Sequence, residues 1–433
     1  MNTAIISLII FGVCVVLYVW SKLPTSVTAL LGLSLMLLSG VVSFSDGFKN
    51  FGSTTIVLIC GMMVVGKATF NTGLAQLIGR KVITLAKGNE RVVVMLATAL
   101  TAVLSAFLSN IATLAMMISI LTGVCAGNKN VHFKNVIMPV GMAAVLGGAA
   151  TLIGSTTQLT AQGIVEEYLG VGNGFSFFTF AVPGFIIIIL LVLYVGYVGY
   201  PLGKKLWEGN PEYDLCPGEE TDIAFEANLK KMPVMAVIFI ATVVMYMSCD
   251  WLKAYIPNWN VGTISLLSAL ACVLTGCISH KDALKSINWT VALWFCASLG
   301  IAAGLNQSGG GALLANGFIG RFGAEVSPFV LYTVLLILVI VLTQFLSNST
   351  VLAIVLPVAF SITKSMGYNT YAYAVGLTIA GAMAVATPLA NTTIGMTMVA
   401  DYKFSDYVKY CGPMTIIAMV VLLILVPVLW PLL

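Results

Sequence analysis

The stretch LSAFLSNIATLA at 104–115 returns without a gap as LTQFLSNSTVLA at 342–353, with seven of twelve positions identical. Two further matches fall almost in the same register: Ala150-Thr151 with Ala386-Thr387, and Thr72-Gly73 with Ser308-Gly309. All three are offset by 236 to 238 residues, and chance supplies one such match but not three in step. The chain is an internal duplication, and the segments around these matches read as two copies of one plan.

Both copies are built from apolar chain. Of 433 residues, 59% are hydrophobic and 8% charged, where a soluble domain carries roughly 25% charged residues. No water-soluble fold hides that much apolar surface, so the lipid bilayer is the solvent and the expected fold is all-α. The net charge of +4 does not point to nucleic acid, because the basic residues are scattered along membrane flanks. The nine cysteines, Cys14, Cys60, Cys272 and Cys296 among them, sit mostly in apolar runs without a CxxC pair. They read as small hydrophobes rather than as a disulfide frame or metal site. Residues 3–20 lack a basic leader and a small-residue cleavage site, and are expected to stay as a span.

A span needs about 20 apolar residues. Candidates in the first copy are 3–20, 24–43 and 53–70, then an amphipathic stretch at 71–88 and a run at 92–126 broken by Ser109-Asn110. A Gly-rich run at 134–165 and a plain span at 176–200 complete it. The charged segment 203–231 is the one long hydrophilic stretch, and so the natural joint. The second copy runs through 232–249, 260–279 and 289–306, a Gly-rich stretch, a run at 327–363 broken by Ser347-Asn348-Ser349-Thr350, then 370–400 and 411–431.

Charge decides how the broken runs lie. Arg80, Lys81, Lys87 and Arg91 precede the first, and Lys129 and Lys134 follow it. Both flanks belong in the cytoplasm under the positive-inside rule, so the run is expected to be a re-entrant hairpin. Each copy then has five crossings plus one hairpin, and an odd number of crossings inverts the second copy relative to the first. The expected architecture is a polytopic membrane protein of two inverted repeats, a transporter plan. The first repeat is 1–202 with its hairpin around 92–126, the cytoplasmic linker is 203–231, and the second repeat is 232–433 with its hairpin around 327–363. With both termini outside, fifteen of the twenty Lys/Arg face the cytoplasm; Lys49, Lys253, Arg321 and Lys364 do not, and Lys67 snorkels near a span end.

The chemistry follows from an absence. All sixteen acidic residues fall in loops or at span ends, and His132 and His280 lie in cytoplasmic connections. Buried charge in a span usually marks a proton relay, and none is offered here. Hydroxyls, amides and backbone carbonyls remain, and these suit a hard cation such as sodium. Ser109-Asn110 and Ser347-Asn348 stand at the hairpin tips, with Ser105 and Thr343 four residues earlier, one helical turn away on the same face. The partner elements, GGAATLIGSTTQ (147–158) and AVATPLANTT (384–393), are apolar runs broken by Gly, Thr and Pro388. Unwound backbone there frees carbonyls for a cation, and helix N-termini present N–H groups to an anion. An isolated Ser-Asn in a span more often only glues helices together. The recurrence of the pair, with a hydroxyl four residues before and a broken run after, favours a site.

With these motifs in place, the chain resembles the divalent anion/sodium symporter family over nearly its whole length. The resemblance rests on the doubled Ser-Asn signature, the Gly-Gly-x-x-Thr-Leu-Ile-Gly segment at 147–154, Ala386-Thr387-Pro388 and the closing DYKFSDYVKYCGP at 401–413. It implies a homodimer in the plasma (inner) membrane, a scaffold domain that holds still, and a transport domain that moves like an elevator. It implies sodium-coupled symport of small organic anions, di- or tricarboxylates, with sodium as coupling ion and no other cofactor. One sodium site would use Ser105, Ser109, Asn110 and backbone near Ala150 or Gly154; the second would use Thr343, Ser347, Asn348 and backbone at Ala386. The substrate carboxylate would meet Asn110, Asn348, Ser349, Thr387, Pro388 and Thr151. Two departures stand out: Ile111 and Ser349 where the family has threonine, and GSTTQ (154–158) where it often has a Gly-x-Pro-Pro-Asn-like turn.

Other functions fit less well. A channel builds its pore about a symmetry axis between chains, and an intramembrane enzyme needs a nucleophile with a base or a metal cluster. A sodium-independent exchanger or a carrier of inorganic oxyanions of the same fold is the remaining alternative. The charge split makes a topology prediction: a reporter active only in the cytoplasm should work when inserted in 206–229 and be silent at the C-terminus. The reverse pattern would overturn the inverted arrangement.

Overall fold

The computed structural model describes residues 2–433 except 21, 78–80, 82–84, 87, 129, 171, 209–228, 253–254, 257, 323–325 and 390. Arg80, Lys87, Lys129, Lys253 and most of the charged joint lie outside the described residues, as does part of the 71–88 stretch. Every regular element among the described residues is helical. Eight helices there are long and apolar enough to cross a bilayer: Thr3–Trp20, Phe44–Asn71, Phe133–Ala150, Ala181–Trp207, Leu229–Met247, Trp289–Gln307, Asn348–Met366 and Phe404–Leu429. Thr25–Leu38, Asn110–Cys125, Val261–Leu274 and Pro328–Leu342 are shorter apolar helices. The expected all-α membrane fold is borne out.

The duplication is written into the helix ends. Gly40 (φ 69°) and Gly276 (φ 73°) each close a helix in the left-handed region, where a side chain is disfavoured. Three residues on, Ser43 and Ser279 accept from the backbone N–H of Asp46 and Asp282 at 3.1 Å, and donate to the same carboxylates at 2.7 and 2.6 Å. Each pair caps the next short helix in the same way, so equivalent residues start equivalent elements.

The helices sort into two groups. In the first, Thr25–Leu38 packs on Trp289–Gln307 and Thr54–Asn71 packs on Val261–Leu274, so each copy's second helix lies against the other copy's third. Small residues permit the approach: a Cβ on Gly61 would stand 2.8 Å from Ser265 O, and one on Gly262 2.6 Å from Thr54 O. In the second group the hairpin Glu90–Ser105/Asn110–Gly127 wraps Phe133–Gly147, and Pro328–Leu342/Asn348–Met366 wraps Thr370–Gly381. All fifteen residues of Phe133–Gly147 are buried, the polar Lys134 and Asn135 of its first turn donating to Asp401 O and Glu90 Oε1. The two copies meet again here, with Gly141 against Thr397 and Ile394.

The groups touch along Thr156–Leu169. Gly163 lies against Phe295 and Leu299, Thr55 donates to Glu166 at 3.2 Å, and Lys49 pairs with Glu167 at 2.9 Å. Two sequence expectations are corrected. The span at 176–200 begins its helix at Ala181 and runs through a π-turn at Val195–Gly199 to Trp207, past the expected end. The wider turn turns a carbonyl outward, and Arg91 Nε donates to Gly196 O at 2.7 Å. Ser105 and Ser109 do not share a helical face either. Residues 106–109 are a non-helical turn, so Ser105 instead meets Asn110 across it, as Thr343 meets Asn348.

The hairpin's fit against its buried helix can be tested. A Cβ on Gly147 would lie 2.5 Å from Ala102 Cα, where neither backbone can yield, whereas one on Gly123 meets nothing. Overpacking of a core costs about 1–3 kcal/mol. Gly147→Ala should therefore lower the Tm in detergent by several degrees and Gly123→Ala should leave it near the parent's; equal melting of both would contradict this packing.

Candidate functional site

Each buried helix of the second group stops inside the protein. Phe133–Gly147 passes through one 3-10 turn, Gly148–Ala150, into extended backbone at Thr151 (φ −135°, ψ 165°), and helix resumes only at Thr156. Thr370–Gly381 ends likewise, and helix resumes at Thr392. Peptide groups released by such breaks must find partners within the protein, because lipid supplies none.

The hairpin turns supply them, with the same bonds in both copies. Thr151 Oγ1 donates to Ala106 O, and Thr387 Oγ1 donates to Gln344 O. Ser105 Oγ lies 2.8 Å from the Asn110 amide and donates to Ala144 O at 2.6 Å. Thr343 Oγ1 donates to Asn348 Oδ1 at 2.9 Å and reaches Gly381 O at 2.9 Å. Each hairpin tip is thereby fastened to the break of its own copy.

The first tip gathers oxygens around one point. A single terminal atom of the Asn110 amide lies 2.8 Å from Ser105 Oγ, 2.8 Å from Gly154 O and 3.2 Å from Ala144 O. With nitrogen turned inward, its two N–H groups can donate to two of the three oxygens. With oxygen turned inward, four oxygens converge, an arrangement that a cation stabilises and that repels itself without one. Glycine makes the room: a Cβ on Gly148 would run into the Asn110 amide, and one on Gly154 would lie 2.9 Å from Gly148 Cα and 3.0 Å from Ala106 O. Thr113 Oγ1 and both polar atoms of Gln158 are buried nearby in sequence, without a hydrogen-bond partner among the described residues. The duplication puts Val351 and Ile394 at those positions in the second copy, so the first break is the more polar of the two.

The second tip is bolted where the first is open. Gln344 stands where the first copy has Ala106, and its Nε2 donates to Met383 O and Ile340 O, both at 3.0 Å. Its Oε1 accepts from Ala386 N at 3.0 Å. Of the residues singled out from sequence, Ser105, Asn110 and Gly154 meet at the first break, and Thr343, Asn348, Ala386 and Thr387 at the second. The side chains of Ser109 and Ser347 do not join them: Ser109 is exposed, and Ser347 Oγ lies 2.7 Å from Thr350 Oγ1. Ala150 packs under Gly184, and Thr151 and Thr387 are buried with their hydroxyl protons held by the hairpins. Pro388 is half-buried in the second break, and Ser349 Oγ donates to Thr156 Oγ1 at 3.3 Å across the boundary between copies.

Sequence reasoning missed Gln344, Thr156 and the carbonyls of Ala144, Gly381 and Met383. The mismatch of Ala106 with Gln344, inside an otherwise well-matched repeat, was the available signal for the first. A buried donor or acceptor left unpaired costs about 1–3 kcal/mol. Gln344→Ala and Gln344→Met should therefore both lower the Tm in detergent, because both leave Ala386 N without its acceptor. A Met variant as stable as the parent would mean that the side chain acts only by filling space.

Known proteins can be set beside this geometry. Residues 15–380 match the family model of the citrate transporters. An uncharacterized transporter of Haemophilus influenzae is 28% identical over 94% of this chain and 88% of its own length. The uncharacterized transporter YfbS of Escherichia coli is 31% identical over 37% of this chain and 27% of its own. A sodium-dependent dicarboxylate transporter, SdcS of Staphylococcus saprophyticus, is 24% identical over 81% of this chain and 72% of its own. The crystal structure of the YdaH transporter of Alcanivorax borkumensis has the same fold, with a TM-score of 0.65 and 14% identity over 96% of this chain and 99% of that one.

Proposed function

The chain belongs to the citrate transporter family, and from that premise we propose that it is a sodium-coupled symporter of small organic anions, di- or tricarboxylates, in the inner membrane. The observation that carries the sodium assignment is the convergence of Ser105 Oγ, Gly154 O and Ala144 O on the Asn110 amide. Oxygen ligands without a fixed charge suit a hard monovalent cation, and Thr113 and Gln158, close to this break in sequence, are buried with polar atoms that have no partner among the described residues. The second cation site, at Thr343 and Asn348, is the more rigid because Gln344 spans it. Bound sodium would place positive charge beside the helix N-termini that begin at Asn110, Thr156 and Asn348, and together these would hold a carboxylate without a basic side chain.

The division into two helix groups supports an elevator movement, with the hairpins, broken helices and substrate sliding past the paired helices of the scaffold. A homodimer joined through the scaffold would hold that group still. The relative named as the inorganic phosphate transporter PHO87 of Saccharomyces cerevisiae, 22% identical over 79% of this chain and 37% of its own length, favours an inorganic oxyanion as the second reading.

Uptake of labelled succinate, malate, citrate, tartrate, phosphate and sulfate into proteoliposomes, with and without a sodium gradient, separates these readings. Uptake of a carboxylate should require sodium and respond weakly to an imposed proton gradient. Asn110→Ala should raise the half-saturating sodium concentration about tenfold or more, because the amide oxygen has no substitute in a closed site. Full uptake driven by protons alone, or unchanged sodium dependence in Asn110→Ala, would overturn the coupling.

A further inference from the structure

We propose that Thr156 determines substrate specificity, forming with Ser349 a two-hydroxyl clamp for one carboxylate of the substrate; this rests on the transport reading above. The duplication pairs Thr156 with Thr392, each the first residue of helix after its break, and pairs Ser349 with Ile111, each the second residue of its hairpin's inner arm. The site therefore has two poles that a perfect repeat would make alike. At one pole Ser349 Oγ and Thr156 Oγ1 lie 3.3 Å apart. At the other, the turn beginning at Thr392 packs on the arm that carries Ile111, and Ile111 is 47% exposed.

The poles differ in what they can give an anion. The hydroxyls of Ser105, Thr343, Thr151 and Thr387 donate to acceptors of the protein, and Ser347 is engaged with Thr350. Thr156 and Ser349 are partly exposed and hold only one long contact with each other, well beyond the usual O–H···O distance of about 2.7–2.8 Å. Both can turn outward, and each can donate to one oxygen of a carboxylate placed between them. Backbone N–H groups of helices 14 and 19 residues long open at the same place, while the turn at Thr392–Gly395 has four residues. One carboxylate of the substrate belongs at the Thr156–Ser349 pole, and the rest of the molecule extends from it toward Ile111. The clamp joins the two copies through the substrate, since Thr156 comes from one and Ser349 from the other.

The test is labelled succinate uptake into proteoliposomes by the full chain, with citrate and sulfate in parallel. Thr156→Val, which keeps the shape and removes the donor, should raise the succinate KM about tenfold and leave the half-saturating sodium concentration unchanged. Thr156→Ser should restore the parent's KM. Thr156→Val combined with Ser349→Ala should fall short of the product of the single effects, because both act on one carboxylate. A KM in Thr156→Val within twofold of the parent's, or no rescue by Thr156→Ser, overturns the clamp while leaving the transport reading intact. A parent that takes up none of the three anions overturns the transport reading, and the clamp with it.

Discussion

The structure depends on how peptide groups are satisfied where two helices stop inside a membrane protein. At each break a threonine hydroxyl donates to a carbonyl in the turn of the adjacent hairpin, Thr151 to Ala106 and Thr387 to Gln344. A second hydroxyl from that turn, Ser105 or Thr343, then reaches a carbonyl of the buried helix and the asparagine that opens the hairpin's inner arm. Without these bonds the breaks would carry unpaired polar groups in a dry interior, and the chain would do better as continuous helix. With them, the breaks persist and carbonyls are left facing a common point. The bonds that make the fold tolerable also assemble the site.

The two copies share this frame and diverge in how firmly it is held. Gln344 adds three side-chain hydrogen bonds at the second tip, where the first copy has Ala106. Beside the first break lie polar groups without partners, and at the equivalent positions of the second lie Val351 and Ile394. The second tip is thus held by more side-chain bonds than the first.

The boundary between the helix groups has a different character from either interior. Close approach of glycines to backbone locks Thr54–Asn71 to Val261–Leu274, whereas Thr156–Leu169 meets the other group through Gly163 on aromatic and aliphatic side chains and through a few polar contacts at its far end. The Lys49–Glu167 pair, with Lys49 45% exposed, adds little holding strength.

Much of this was open to reading from the residues alone. Hydropathy and the 236-to-238-residue offset determined an all-helical membrane fold made of two copies, and the doubled Ser-Asn pair with its downstream Gly/Thr runs marked where the helices break. These are local properties: apolar length sets a span, and glycine, proline and hydroxyl residues end one. What the sequence left open was which atoms meet. Ser105 and Ser109 looked like neighbours on one helical turn, yet the helix ends at Ser105, which meets Asn110 across the turn instead. Where the hydroxyl protons of Thr151 and Thr387 go, to hairpin carbonyls 45 and 43 residues away, was likewise not legible. Gln344 and Thr156 drew no notice, because their partners lie about 40 to 190 residues away in the chain. Only tertiary structure brings such groups to hydrogen-bonding distance, and in a site built from neutral oxygens that distance is the whole of the chemistry.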